Sequence, residues 1–326
     1  MKLEIVGSVF ALLLSVFLGV ENVPVPNQVF SNANHANNEY LQNQEAKNLV
    51  WDKIAHHNKP MSSLQSQSAW LGCLCDEPPF FEKAPNAQLP LASVTKIMTA
   101  YLALRELGPD YSVNVSQEAV ATEGIAGDLQ AGEVLTIKDL IVMMMTYSSN
   151  DAAMAVAEAL GRAYGSPRLA SSSGEAGSSH FSDAIARTVW LMNEEARLLG
   201  MWYTMFQNPT GLDFKNGPSN FSTARDMVLL LQATRAQPLL WDLARIDEPR
   251  VISQNGIAHD LLNLNPFRDF PHYVGGKTGT TDYAGENLVM LFERPLGKLH
   301  ALILFGAPPG QREIEAKKLL DWINAF

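Results

Sequence analysis

The sequence is poor in cysteine and in basic residues. Its 326 residues include two cysteines, too few for a disulfide framework. Lysine and arginine number 24 against 34 aspartate and glutamate residues, so the formal net charge of −10 disfavours binding to nucleic-acid phosphates. With 47% hydrophobic residues, the chain is typical of a folded protein of one large or two small domains.

A metal-binding pattern of histidines is also missing. The histidines in the second half of the chain show no zinc-binding spacing: His180, His259, His272 and His300. A metal peptidase is therefore not expected, and we expect neither a metal nor another cofactor.

Long apolar runs are confined to the N-terminus. Lys2 precedes an almost wholly apolar stretch from Ile5 to Val20, intermediate in length between a signal-peptide core and a short membrane span. We expect residues 1–20 to be a signal peptide or an uncleaved signal anchor, and both remain open. Either one exports the chain to the periplasm or cell envelope, and an uncleaved anchor would be its only membrane contact.

A polar, Asn- and Gln-rich leader is expected over residues 21–60, followed by one folded domain over 61–326.

The folded part has strand patterns at both ends and helical patterns between them. Strands are expected at Ser68–Cys75, Phe80–Lys83, Tyr273–Thr281, Leu288–Glu293 and Leu299–Gly306. Helices are expected at Ser93–Leu107, Thr136–Tyr147, Asp151–Ala163, Phe181–Gly200, Ser222–Ala233 and Gln311–Phe326. This order predicts an α+β fold, with an antiparallel sheet flanked by helices and a mostly helical subdomain.

The segment Ser93-Val94-Thr95-Lys96 begins an apolar helix. Residues three apart lie on one helix face, so the Ser93 hydroxyl and the Lys96 amine should meet. Burial and the positive end of the helix dipole both lower the pKa of a lysine, and a neutral Lys96 would accept the Ser93 proton. The result is a serine nucleophile that needs no histidine. Taken alone, the pattern also fits a capping serine and a surface lysine.

A second polar group, Ser148-Ser149-Asn150, directly follows an apolar helix. In a turn, Ser148 and Asn150 can direct a hydroxyl and an amide at one point, where the hydroxyl relays a proton and the amide holds a carbonyl and a lysine. The same residues also fit an ordinary helix boundary, with Asn150 as the cap of the next helix.

A third group, Gly276-Lys277-Thr278-Gly279-Thr280, lies in a strand pattern. Glycines weaken a strand unless something approaches its backbone closely, as a peptide substrate on an edge strand does. Lys277 and Thr278 supply a charge and a hydroxyl suited to a terminal carboxylate. A phosphate-binding loop is disfavoured, because its glycine spacing and following helix are missing.

In this order, the three motifs resemble those of the active-site serine penicillin-binding proteins and β-lactamases, and most closely the low-molecular-weight D-alanyl-D-alanine carboxypeptidases. The resemblance extends from about Ala69 to the C-terminus and includes Asn208-Pro209-Thr210-Gly211-Leu212 and Ser222-Thr223-Ala224-Arg225-Asp226. It implies the β-lactamase/DD-peptidase fold and a serine peptidase that works through an acyl-enzyme. Peptidoglycan stem peptides are the implied substrates, and β-lactams the implied covalent inhibitors.

The resemblance also implies a role for each motif residue. Ser93 attacks the carbonyl of the penultimate D-alanine with Lys96 as its base, and Ser148 passes the proton to the leaving D-alanine. Asn150 positions Lys96 and the substrate. The implied substrate-binding residues are Lys277, Thr278, Gly279 and Thr280.

In more detail, Lys277 and Thr278 hold the terminal carboxylate in the family. The backbone N–H groups of Ser93 and Thr280 form the oxyanion hole.

Some features depart from the family pattern. Many members carry a β-rich domain and a membrane anchor after the catalytic domain, and this chain is expected to lack both, like the family's D,D-endopeptidases. Removal of the terminal D-alanine is the expected activity, with cross-link cleavage or a non-catalytic penicillin-binding sensor as alternatives.

Glu195–Leu199 lacks the Glu-x-x-Leu-Asn pattern that supplies deacylation in class A β-lactamases, so rapid β-lactam hydrolysis is not expected. Ser166–Ser179 is expected to be an inserted loop.

The two cysteines are expected to be packing thiols. Cys73 and Cys75 lie two residues apart in a strand pattern, and a bridge between them would require strain.

Overall fold

The computed structural model describes residues 63–75, 77–164, 178–294 and 297–324. The expected export segment (1–20), the leader (21–60) and nearly all of the expected loop from Ser166 to Ser179 lie outside these residues and stay predictions. Among the helices that the structure describes, none combines the length and apolar character required to cross a bilayer.

An antiparallel sheet of five strands forms the centre of the fold. Its strands are β1 (Ser68–Cys73), β2 (Phe81–Lys83), β9 (Tyr273–Thr281), β10 (Gly285–Arg294) and β11 (Lys298–Ala307). Across the sheet the order is β2-β1-β11-β10-β9, so the first strand pairs with the last and β9 lies at an edge. The predicted strands are therefore confirmed, and β9 has the predicted bounds.

Three pairs of short strands accompany the sheet: β3 (Leu89–Pro90) with β6 (Phe221–Ser222), β4 (Ser112–Asn114) with β5 (Val134–Thr136), and β7 (Arg250–Ile252) with β8 (Ala258–Asp260). The helices are α1 (Lys96–Glu106), α2 (Gln117–Val120), α3 (Ile137–Val142), α4 (Asn150–Ala163), α5 (Ser178–Leu198), α6 (Ala224–Thr234), α7 (Pro238–Ala244) and α8 (Arg312–Ile323).

The two faces of the sheet are covered by different parts of the chain. On one face, Leu288 and Met290 of β10 pack in a cluster with Leu319 and Ile323 of α8. On the other face, Val289 and Leu291 of β10 belong to the larger hydrophobic core, to which the remaining helices contribute. Because both faces are covered, the middle of β10 is apolar at consecutive positions instead of alternating.

Two of the predicted helices change their winding where they reach candidate site residues. The helix expected from Ser93 begins as a 3₁₀ turn over Ala92–Thr95, and regular α-helix begins only at Lys96. The helix expected over Thr136–Tyr147 begins with a capping box between Thr136 and Asp139, but its last residues, Met143–Tyr147, form a π turn.

The expectation of packing thiols is wrong. Cys73 and Cys75 are joined by a disulfide, with their Cα atoms 5.1 Å apart, inside the usual range. The prediction assumed a strand that continued to Cys75. Instead β1 ends at Cys73, and the chain turns in a bend through Leu74 and Cys75.

Candidate active site

The nucleophile candidate lies on the 3₁₀ turn, and the candidate base lies one turn later. A 3₁₀ helix has three residues per turn, so Ser93 and Lys96 are aligned along its axis. The Lys96 amine is fully buried and has three oxygen neighbours. They are Ser93 Oγ at 2.9 Å, Asn150 Oδ1 at 2.7 Å and the Thr210 carbonyl oxygen at 2.8 Å.

These contacts define what a neutral Lys96 would do. A neutral amine has two N–H donors and one lone pair. The Asn150 and Thr210 oxygens are carbonyl acceptors without protons, so each takes one N–H. The lone pair is then left facing the one neighbour that has a proton to donate, the Ser93 hydroxyl.

The surroundings of Lys96 favour this neutral form. Burial lowers the pKa of Lys96 well below its ordinary value, and the nearby charge of Lys277 lowers it further, while Asp151 opposes the shift. A lysine with a depressed pKa is a competent base near neutral pH.

Asn150 is held in place from both sides of its amide. It is the first residue of α4, and its Nδ2 donates to the Glu123 carbonyl oxygen at 3.0 Å, which leaves Oδ1 directed at Lys96. Ser149, not Asn150, caps α4, because its hydroxyl accepts from the Ala152 N–H. The alternative reading of Asn150 as a helix cap is therefore wrong.

Ser148 stands at the end of the π turn in a left-handed conformation, with φ of 68°. Left-handed backbone is uncommon outside glycine, and it often marks a functional site. Here it turns the chain between α3 and α4 so that the Ser148 hydroxyl meets Lys277. The Lys277 Nζ donates to Ser148 Oγ at 3.0 Å and to the Thr278 carbonyl oxygen at 2.8 Å.

Lys277 is as deeply buried as Lys96, with 1% of its surface exposed. Burial, followed by the charge of Arg312, lowers the pKa of Lys277 to about 7. Its charge is therefore available at neutral pH and sensitive to any anion that arrives beside it.

The edge strand β9 passes directly beside Ser93, the candidate nucleophile. A Cβ on Gly279 would lie 2.9 Å from the Ser93 nitrogen and 3.0 Å from the Leu91 carbonyl oxygen, so only glycine allows this approach. On the other flank, a Cβ on Gly211 would lie 1.9 Å from the Ala92 carbonyl oxygen. Thr278 is partly exposed and Thr280 is exposed, next to this contact.

Several buried side chains that support the site were missed by the motif analysis. Asn287 of β10 donates through Nδ2 to the Pro90 carbonyl oxygen at 2.8 Å and accepts from the Gly306 N–H, which fixes the start of the 3₁₀ turn to the sheet. Asn220 donates to Thr95 Oγ1 at 2.9 Å. An amide within an apolar strand, as in Asn287-Leu288-Val289, is the sequence signal that points to such a clamp.

Another missed side chain is Arg312, the first residue of α8. Its Nη1 donates to Thr280 Oγ1 at 3.1 Å, and its charge lowers the pKa of Lys277. This arginine lies well beyond the third motif in the sequence, and only the fold brings it to β9.

All three motifs therefore meet at one place. Ser93, Lys96 and Asn150 form one hydrogen-bonded chain, Lys277 and Ser148 form another, and Gly279 packs on Ser93. A buried base beside a partly exposed hydroxyl is an arrangement for nucleophilic attack, and an edge strand with a nearby ammonium suits an anionic peptide end.

Residues 80–166 and 178–304 match the family model of the D-alanyl-D-alanine carboxypeptidases. The chain belongs to this peptidase family. It is 31% identical to D-alanyl-D-alanine carboxypeptidase DacC of Escherichia coli over 251 residues, which cover 73% of this chain and 56% of that protein. It is 29% identical to a D-alanyl-D-alanine endopeptidase of Pseudomonas aeruginosa over 254 residues, which cover 75% of this chain and 72% of that protein.

Solved structures show the same fold. A D-alanyl-D-alanine carboxypeptidase from Mycobacterium tuberculosis aligns with a TM-score of 0.69 at 25% identity, and the alignment covers 83% of this chain and 95% of that one. The expected family and the expected α+β fold are thus confirmed. Family membership confirms a serine-type D-Ala-D-Ala carboxypeptidase, a hydrolase, and leaves the endopeptidase as the alternative because relatives of both names match.

Proposed function

We propose that this protein removes the terminal D-alanine from peptidoglycan stem peptides through an acyl-enzyme on Ser93. The observation that carries the proposal is the contact set of Lys96, in which two carbonyl oxygens would take the two N–H groups of the neutral amine and leave its lone pair to Ser93. The same chemistry makes β-lactams covalent inhibitors. The site of action is the cell envelope, where this substrate occurs.

In the first step, Lys96 takes the Ser93 proton while Ser93 Oγ attacks the carbonyl carbon of the penultimate D-alanine. The oxyanion that forms is held by the backbone N–H groups of Ser93 and Thr280, each donor contributing about 3 kcal/mol of transition-state stabilisation.

In the second step, the C–N bond breaks and the leaving nitrogen needs a proton. Ser148 Oγ already accepts a hydrogen bond from Lys277 at 3.0 Å, so its own proton can pass to that nitrogen, and the proton that Lys96 took from Ser93 replaces it on Ser148 Oγ. Lys277 and Thr278 hold the terminal carboxylate, and Gly279 keeps the strand close enough for the peptide to lie along it. Water then releases the acyl group from Ser93.

The endopeptidase is the alternative because relatives of that name match this chain as the carboxypeptidases do. The choice depends on whether the leaving group is one D-alanine or a cross-linked peptide.

Mass analysis of defined muropeptides tests the proposal. The protein should remove one alanine from monomeric pentapeptides, and Ser93→Ala should remove none. Cleavage of cross-linked dimers without trimming of monomers would establish the endopeptidase instead. Turnover of either substrate by Ser93→Ala would contradict the acyl-enzyme.

A further inference from the structure

A group of potential metal ligands lies at the end of β1. The Sγ atoms of Cys73 and Cys75 and a carboxylate oxygen of Glu77 all lie within 4.8 Å of one another. Of the residues that the structure describes, these three form the one cluster of histidine, cysteine and acidic ligands with this closeness. Cys73 is buried, whereas Cys75 and Glu77 are partly exposed.

The disulfide here does little to stabilise the fold. A disulfide stabilises a protein mainly by restricting the unfolded chain, and its effect grows with the length of the loop that it closes. The loop between Cys73 and Cys75 contains one residue. Cys75 is partly exposed, and a disulfide that an outside thiol can reach is open to thiol–disulfide exchange.

The backbone between the two cysteines is fixed independently of the disulfide. Leu74 is buried, its N–H donates to the Leu299 carbonyl oxygen at 2.9 Å, and its carbonyl oxygen accepts from Arg235 Nη1 at 3.1 Å. These contacts remain when the S–S bond is cleaved. The two thiols therefore stay near each other and near Glu77 after reduction.

Glu77 is the one carboxylate of the cluster, and it is ion-paired with Lys298. Lys298 Nζ lies 2.7 Å from Glu77 Oε1 and holds the Glu77 carboxylate beside the sulfur atoms. Two thiolates and a carboxylate form a ligand set that soft divalent cations such as Zn²⁺ prefer, with water in the fourth position.

We propose that Cys73, Cys75 and Glu77 form a redox-controlled binding site for a thiophilic divalent cation of the Zn²⁺ class. In the oxidised state the two sulfurs share a bond and hold no metal. A dithiol reductant transfers two electrons and two protons, which cleaves the S–S bond and gives two thiols while the reductant becomes a disulfide. The cation then displaces both thiol protons and binds to the two sulfurs and the Glu77 carboxylate.

The test uses the full chain, with Zn²⁺ alone as the probe. Thiol titration should find no free thiol in the protein purified under oxidising conditions and two after treatment with a phosphine reductant, which takes up oxygen from water as the disulfide is reduced. Under anaerobic equilibrium dialysis, the reduced protein should bind one Zn²⁺ per chain and the oxidised protein none. Because the chain has two cysteines, each titration reports on this site alone.

Variants separate this site from adventitious binding. Cys75→Ser should bind no Zn²⁺ in either redox state, and Glu77→Gln should keep the disulfide but bind Zn²⁺ about tenfold or more weakly when reduced. The matched control Glu248→Gln, at an exposed glutamate, should bind as the wild type does. Penicillin labelling at Ser93 should be unchanged in all three. The proposal is overturned if the reduced wild type binds no Zn²⁺, or if Cys75→Ser binds it equally well.

Discussion

Lys277 Nζ donates a hydrogen bond to Ser148 Oγ at 3.0 Å, and this contact joins the third motif to the second. Lys277, which we propose binds the substrate carboxylate, is therefore hydrogen-bonded to Ser148, which we propose protonates the leaving group. Binding and proton transfer are coupled through one hydrogen bond. A change at Lys277 should accordingly reduce kcat as well as raise KM.

The base assignment makes the first prediction. Lys96→Arg keeps the positive charge but removes the neutral form, because arginine does not deprotonate in proteins. Acylation by a fluorescent penicillin should slow by at least about a hundredfold, in the range usual for general bases. The measurement is the second-order rate constant of labelling, and Ser93→Ala should show no label. Near wild-type labelling of Lys96→Arg would mean that Lys96 is structural.

The second prediction concerns the pH at which Lys96 becomes neutral. Asn150→Asp places a carboxylate where the amide oxygen now lies, 2.7 Å from Lys96 Nζ, and an adjacent negative charge favours the ammonium form. The pKa of Lys96 rises, so more alkaline solution is needed to deprotonate it. The rising limb of the pH profile of acylation should therefore move to higher pH.

The control for this shift is Asn114→Asp, at an exposed position of β4. Its profile should coincide with that of the wild type. A limb that moves to lower pH in Asn150→Asp, or does not move, would contradict Lys96 as the titrating base.

Much of this site could be predicted from the sequence because its chemistry is local. Ser93 and Lys96 are three residues apart, so any helical winding brings them together. The bounds of β9 also agree with the strand pattern of the local sequence from Tyr273 to Thr281.

The supporting contacts could not be predicted because they depend on tertiary structure. Asn287 binds the Pro90 carbonyl oxygen across 197 residues of sequence, and Thr210 meets Lys96 across 114. The π turn before Ser148 was also missed, since its residues have an ordinary apolar helical pattern. The cysteines were misjudged because the end of β1 was placed two residues too late.

The third prediction tests the closeness of β9 to the nucleophile. Gly279→Ala introduces a Cβ that would lie 2.9 Å from the Ser93 nitrogen, so the strand or the 3₁₀ turn must move. A displacement of about 1 Å at reacting groups costs on the order of a hundredfold in rate. Penicillin labelling should fall by about that factor while the circular dichroism spectrum is retained. Unchanged labelling would show that this contact does not position Ser93.

The fourth prediction concerns stability and leaves the site intact. Glu315 of α8 is fully buried and accepts from the Ser66 N–H at 2.9 Å and from Ser66 Oγ at 2.5 Å, which ties the chain just before β1 to the last helix. Glu315→Gln replaces one acceptor oxygen with a donor group. It should lower the free energy of unfolding by about 1–3 kcal/mol in urea titrations. The exposed control Glu313→Gln should change stability by less than about 0.5 kcal/mol.

The last prediction separates recognition of the carboxylate from the chemical step. Amidation of the terminal D-alanine removes the negative charge but keeps the scissile bond. A charge-assisted contact is worth about 1.5–3 kcal/mol, so at pH 6 the wild type should cleave the amide roughly 10- to 100-fold more slowly in kcat/KM. In Lys277→Ala this preference should shrink, because the charge that senses the carboxylate is absent. The experiment compares kcat/KM for two substrates and two enzymes as one cycle.

The pKa of Lys277 predicts how the result of this comparison of kcat/KM values changes with pH. In the free enzyme its pKa is about 7, so Lys277 is mostly charged at pH 6 and mostly neutral at pH 9. Recognition of the carboxylate requires Lys277 in its ammonium form. Above pH 7 the amine is mostly neutral, so Lys277 must take up a proton when the carboxylate binds. The wild-type preference for the free carboxylate in kcat/KM should therefore decline as the pH rises from 6 to 9, while Lys277→Ala shows a small, pH-independent preference. If both enzymes discriminate against the amide equally at every pH, Lys277 does not read the carboxylate.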